Sequence, residues 1–160
     1  MPAPHNHNDI IHIDVCVERL ASCHVTLQDV KINLKHPLSE PAFRYAVVEY
    51  MTLFNPSKDG QGLPRRIPIA WIPANYLSLH KRLKKTRNQL LAHSDMSVLD
   101  GSLNLEEARG LPVTTTTLTH VDDLAALKNV DEFLDLLQAV RDKLFEERRK
   151  QVAALSNTQP

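Results

Sequence analysis

Apolar residues recur at alternating steps of three and four along most of this 160-residue chain, and this spacing constrains the fold more than any other feature. In the first long segment it predicts one helix that begins after Asn8, a suitable N-cap, and ends before Pro37. The predicted seam consists of Ile10, Ile13, Val17, Leu20, His24, Leu27 and Leu34. A helix with one apolar seam buries it against other helices, so the spacing predicts a helical bundle.

Three further helices follow from capping residues, prolines and helical spacing. They are predicted over residues 39–54, from Pro73-Ala74 to about Asp95, and over about 120–152, the last with a capping box at Thr119. We therefore predict an all-α fold, a bundle of four main helices. A long 55–72 loop and an irregular 96–119 segment separate the helices, and only the β-prone run from Thr114 to Thr117 could make a short strand.

Composition supports one helical domain. Only 5% of the residues are aromatic and only 4 are glycine, whereas leucine, alanine and charged residues are abundant. We divide the chain into a disordered leader (1–7), a single helical domain (8–152) and a frayed tail (153–160). This length is sufficient for one buried core.

The charge balance excludes a general attraction to polyanions or membranes, because 19 basic and 19 acidic residues give a formal net charge of +0. No apolar run is long enough to span a bilayer, and the polar leader lacks a signal core, so we predict a cytoplasmic protein with no membrane partner. Cys16 and Cys23 are too far apart on one helix for a disulfide and are predicted to be reduced. No cysteine–histidine cluster predicts a metal site, and no glycine-rich loop predicts a cofactor.

Reactive side chains are concentrated in one segment, Arg87-Asn88-Gln89-Leu90-Leu91-Ala92-His93-Ser94-Asp95, near the end of the third helix. At about 100° per residue, Arg87 and His93 lie on opposite shoulders of the apolar stripe that contains Leu90. They are about 9 Å apart along the axis and about 120° apart around it, so they do not meet on one helix. A second copy packed antiparallel across a two-fold axis would bring them into one cleft.

Arg-Asn followed after three residues by Ala-His resembles the signature of the HEPN superfamily, an arginine and a histidine separated by four to six residues. The order of the helices agrees with that family over about residues 8–152, although the motif itself covers only nine residues. The extension through Ser94 and Asp95 resembles HEPN-like proteins of the abortive-infection type. The resemblance implies a compact HEPN-like helical domain that forms a homodimer and acts as a toxin or in phage defence.

The activity implied by the resemblance is metal-independent cleavage of RNA, leaving 2′,3′-cyclic phosphate ends. His93 is suited to proton transfer because its ordinary pKa is near neutrality. Arg87 offers a fork of donors to the phosphoryl oxygens. Asn88 would bind the phosphate or orient His93, and Asp95 would fix a tautomer or neutralise Arg87.

Basic residues outside the motif are candidates for seating the RNA backbone. They are Lys81, Lys84 and Lys85 on the outer face of the third helix and Arg65 and Arg66 in the long loop. The competing interpretation is a non-catalytic binding or dimerisation module of the same fold, in which the arginine and histidine only stabilise an interface. Possible partners are therefore a second copy, an RNA substrate and an antitoxin protein.

Overall fold

The computed structural model describes residues 7–58, 64–91, 99–108, 111–120 and 129–156. Its α-helices are α1 (His7–Ile32), α2 (Ser39–Thr52), α3 (Leu77–Leu91) and α4 (Val130–Ser156). Two antiparallel strand pairs join β1 (Ser57–Lys58) to β2 (Pro64–Arg65) and β3 (Leu99–Ala108) to β4 (Leu111–His120). Short 3-10 turns at Ile69–Trp71 and Ala74–Tyr76 precede α3. The prediction of an all-α bundle of four helices is confirmed.

The buried seam of α1 differs in part from the predicted one. Its members are Ile13, Cys16, Leu20, Cys23, Leu27 and Val30. Val17 and His24 are half-buried beside this seam rather than inside it. Both registers have steps of three and four, but the two small thiols let α1 approach its neighbours closely, and the sulfur of Cys23 lies 3.7 Å from the Ala46 carbonyl of α2.

Helices α1 and α4 run antiparallel, as two ion pairs at opposite ends show. Lys31, near the end of α1, lies 2.5 Å from Asp131 in the first turn of α4. At the other end, Arg148 of α4 donates from Nε to Asp14 of α1 at 2.6 Å. Exposed pairs of this kind contribute little to stability, so the buried seam between the helices holds them together.

Aromatic rings from α2 and α4 form the centre of the core. Phe133 meets Phe43 and Tyr50 edge to face, with ring centroids 5.9 and 5.4 Å apart. The ring of His80 from α3 packs between Tyr50 and Phe54, at 5.7 and 4.7 Å. Edge-to-face contacts add to the free energy of burial, so this cluster joins three of the four helices.

His80 is the one titratable imidazole in the described core, and it is only 3% exposed. The Tyr50 hydroxyl lies 3.0 Å from its Nδ1, which in a neutral ring accepts a hydrogen bond from that hydroxyl. Burial, and secondarily the charge of Lys84, lower the pKa of His80 below its ordinary 6.5. Burial also raises the pKa of Tyr50, which keeps its proton. The native core therefore favours the uncharged form of His80.

The free energy of unfolding is expected to fall as the pH is lowered through about 6.5, because the unfolded chain takes up a proton that folded His80 resists. The loss ends below the folded pKa and amounts to at most about 1.4 kcal/mol for each pH unit between the two values. Urea unfolding between about pH 7.5 and 5 measures it. The free energy of unfolding of His80→Gln should fall less steeply as the pH is lowered, and its value at pH 7.5 serves as the internal reference. An equally steep fall in the variant would contradict the assignment.

The predicted 55–72 loop is anchored rather than loose. The β1–β2 pair closes its first half, and the Ile67 N–H donates to the Leu53 carbonyl at 2.8 Å. Ile67 and Ile72 are buried, and Trp71 packs partly buried against the core, where it lines cavities together with residues of α1 and α4. The segment therefore has a fixed position against α1 and α4.

The 96–119 segment and both ends of the fourth helix differ from the prediction. The 96–119 segment contains the β3–β4 hairpin, with Leu103 opposite Thr116 and Asp100 opposite Thr119, so it is not irregular there. Thr119 lies in a strand and does not cap a helix, and α4 begins ten residues after His120, at Val130. The predicted helical positions Leu124 and Leu127 lie outside the described residues. α4 continues to Ser156, beyond the boundary placed at 152.

Candidate functional site

Helix α3 has one buried and one exposed side, as helical spacing predicts. Leu79, His80, Leu83 and Thr86 are buried against the bundle. Lys81, Lys84, Lys85 and Asn88 are exposed on the outer side. The exposed set forms a basic face that ends beside the Arg87 motif.

Arg87 is half-buried at the edge between these two sides, in agreement with its predicted place on a shoulder of the apolar stripe. Its Nη1 donates to Oδ1 of Asn88 at 3.2 Å. Its Nε atom is buried and has no hydrogen-bond partner among the described residues. A buried donor without an acceptor is costly. Because Nε is shielded from solvent, an anion that binds Arg87 would meet the exposed part of this half-buried side chain.

Asn88 has a neighbour that the sequence did not predict. Its side-chain oxygen accepts a hydrogen bond from Arg87, and its predicted contact with a phosphate or with His93 stays a prediction. This bond directs the guanidinium without neutralising it, because an amide carries no charge. His93 and Asp95 lie outside the described residues, as does the geometry of a composite site.

The loop arginines differ from each other. Arg65 is half-buried and forms an ion pair with Asp9 in the first turn of α1, so it fastens the loop to the bundle. Arg66 is exposed. On α3, Arg82 reaches Glu132 in the first turn of α4 at 3.2 Å. The basic side chains predicted to seat RNA are thus found in two places, the outer face of α3 and the loop beside α1.

The Tyr50–His80 pair is a buried polar feature that sequence reasoning missed. A signal was present, because His80 follows Leu79 and lies one turn before Leu83 on the same stripe. His80 was not among the residues predicted to have a function. Its burial gives it a structural role in the described core.

The cysteines are free and buried, as predicted. Burial raises the pKa of the Cys16 thiol to about 11. Burial, with the charge of Glu49 adding to it, raises the pKa of Cys23 to about 12. A thiol that keeps its proton at neutral pH is a poor nucleophile and a poor metal ligand. Within the described ranges, no cluster of three or more histidine, cysteine or acidic side chains could hold a metal ion.

No family model matches the sequence, and no curated protein or solved structure is significantly similar to it. In the part of the chain that the structure describes, none of the helices combines the length and the hydropathy needed to cross a membrane.

Proposed function

We propose that the chain is a HEPN-type endoribonuclease that cleaves RNA without a metal ion. The observation that carries the proposal is the state of Arg87, a half-buried arginine with a buried Nε that lacks a partner among the described residues. Its neighbours on the outer face, Lys81, Lys84 and Lys85, are exposed and provide positive charge for a phosphate backbone. The motif from Arg87 to His93 supplies the second reactive group.

In the proposed reaction the RNA supplies its own nucleophile. The 2′-oxygen forms a bond to phosphorus as His93 takes the hydroxyl proton, and the bond to the 5′-oxygen breaks. A proton returns to the 5′-oxygen, and the products are a 2′,3′-cyclic phosphate and a 5′-hydroxyl. Arg87 binds the phosphoryl oxygens, where negative charge increases in the transition state. Asn88 acts as a positioning residue by holding the guanidinium of Arg87.

The proposed assembly is a homodimer, with Arg87 of one protomer and His93 of its partner in the same cleft. Helical arithmetic on the sequence puts these two side chains on opposite shoulders of the apolar stripe, and a two-fold axis would remove that separation. A toxin or phage-defence role, held in check by an antitoxin protein, follows from the abortive-infection type of the motif and belongs to the same proposal.

Cleavage of a 5′-labelled single-stranded RNA that contains every dinucleotide step, in excess EDTA, tests the chemistry. We expect fragments with 2′,3′-cyclic phosphate ends, and a rate lowered about 100-fold or more by His93→Ala. His24→Ala, which removes a half-buried histidine of α1, is the matched control and should retain the rate. Absence of cleavage, or cleavage that His93→Ala leaves unchanged, would favour the non-catalytic binding module instead.

A further inference from the structure

A cavity of about 220 Å³ lies between the start of α1, the segment after β2 and the last turns of α4. Apolar side chains form much of its wall. Its polar and aromatic lining consists of Asp9, His12, Arg65, Arg66, Trp71 and Gln151. It is distant from the basic face of α3, because α3 reaches the first turn of α4 through Arg82 and Glu132, whereas the cavity lies toward the other end of α4.

Of the basic side chains that line the cavity, one arginine is available to bind a ligand. Arg65 and Asp9 pair with each other, and burial lowers the pKa of His12, which favours its neutral form. Arg66 is the exposed cation of this lining, at the mouth of the cavity. A ligand that enters with a negative group can therefore meet the planar guanidinium of Arg66, which suits a carboxylate bound by two parallel hydrogen bonds.

The side-chain oxygen of Gln151 is a hydrogen-bond acceptor without a donor among the described residues. This Oε1 atom is buried. An amide oxygen in this state lacks the hydrogen bond that water supplies in the unfolded chain. The atom is closed off even from water, so a ligand O–H or N–H group satisfies it once the Gln151 side chain turns toward the cavity.

The size and walls restrict the ligand further. Drug-sized ligands occupy roughly 300–1,000 Å³, so a cavity of about 220 Å³ accommodates a single ring and its substituents. The indole of Trp71 supplies a flat aromatic wall against which such a ring can stack. Apolar walls, one cation and one unpaired acceptor together describe a small aromatic acid with a polar substituent.

We infer that this cavity is a binding site for a single-ring aromatic carboxylate that carries a hydroxyl or amino group. Arg66 binds the carboxylate, Trp71 stacks on the ring, and the Gln151 side chain turns toward the cavity and accepts the hydrogen bond of the substituent. The site uses none of the residues around Arg87, and Arg66 is the one residue of the proposed contacts that is also a predicted RNA contact.

Calorimetric titration with the ortho, meta and para hydroxybenzoates tests the site, and the fluorescence of Trp71 gives a second signal because the chain has 1 tryptophan. At least one isomer should bind saturably and change the Trp71 emission. Benzoate, which lacks the donor for Gln151, and phenol, which lacks the carboxylate, should each bind about 10-fold more weakly or worse.

Two variants assign the contacts. Gln151→Leu should bind the preferred hydroxybenzoate no better than benzoate, and Arg66→Ala should bind it no better than phenol. Arg149→Ala is the matched control, an exposed arginine of α4 that borders the other side of Trp71, and it should retain the parental selectivity. Thermal unfolding verifies that each variant is folded.

The inference is overturned if no hydroxybenzoate binds saturably, or if benzoate and phenol bind as well as the preferred isomer. It is also overturned if folded Gln151→Leu and Arg66→Ala keep the parental selectivity. A failure of RNA cleavage leaves these measurements unaffected, so the two proposals stand or fall separately.

Discussion

Phe133→Ala is expected to lower the free energy of unfolding by about 3–5 kcal/mol, the usual cost of removing a buried phenylalanine. Phe133 is 1% exposed and lies edge to face with both Phe43 and Tyr50, so its removal leaves a cavity and takes one ring contact from each of them. Urea unfolding measures the loss, and the thermal midpoint should fall by roughly 10 °C or more.

Phe145→Ala provides the matched control, since Phe145 lies on the same helix and is 42% exposed. Its loss should cost about 1 kcal/mol or less, because a large part of the residue is already in contact with water. Similar losses in the two variants would mean that the aromatic cluster is not the centre of the core. Phe133→Leu should be intermediate, because it refills part of the cavity but restores no ring contact.

The fold class was predictable from spacing, but the register of α1 was not. Ile13, Leu20 and Leu27 belong both to the predicted seam and to the observed one. Steps of three and four can be continued from them through Val17 and His24 or through Cys16 and Cys23 with equal regularity. Contacts with the neighbouring helices decide between these two registers, and they favour the register that contains the small, apolar thiols.

The β3–β4 hairpin was missed although its signal was in the sequence. From Leu99 to Glu106, apolar or small residues alternate with polar ones at a period of two, which is typical of a strand. Only Arg109 and Gly110 separate the two strands along the chain, a length and a composition that favour a tight hairpin. The run of threonines in β4 added to this signal, and the predicted β-prone run from Thr114 to Thr117 does lie in a strand. The pairing partner, residues 99–108, was treated as irregular because helical patterns lie on both sides.

The environment of Arg87 was predictable in part. Helical geometry placed it on a shoulder, where it is half-buried, but periodicity carries no information about side-chain rotamers. The bond to Asn88 depends on those rotamers. In the same way, Arg65 and Arg66 are adjacent and chemically alike, and only the position of Asp9 across the fold distinguishes a fastened arginine from an exposed one.

Arg87→Ala is expected to reduce RNA cleavage about 100- to 1000-fold, the range seen when one donor to a developing negative charge is removed. The same change should leave the free energy of unfolding unchanged or slightly raised. The buried Nε atom has no partner among the described residues to lose, and alanine favours a helix. Single-turnover cleavage and urea unfolding of the same preparation measure the two quantities.

Arg87→Lys separates the geometry of the guanidinium from its charge. Lysine keeps the positive charge but lacks the planar fork, so activity should lie between those of the parent and Arg87→Ala. Arg149→Ala removes an exposed arginine from α4 and should leave cleavage unchanged. If Arg87→Ala instead destabilises the fold by several kcal/mol while the remaining folded protein cleaves at the parental rate, Arg87 is a structural residue and not a phosphate-binding one. A loss of cleavage with stability retained is the combination expected of an arginine whose unpaired donor is reserved for substrate.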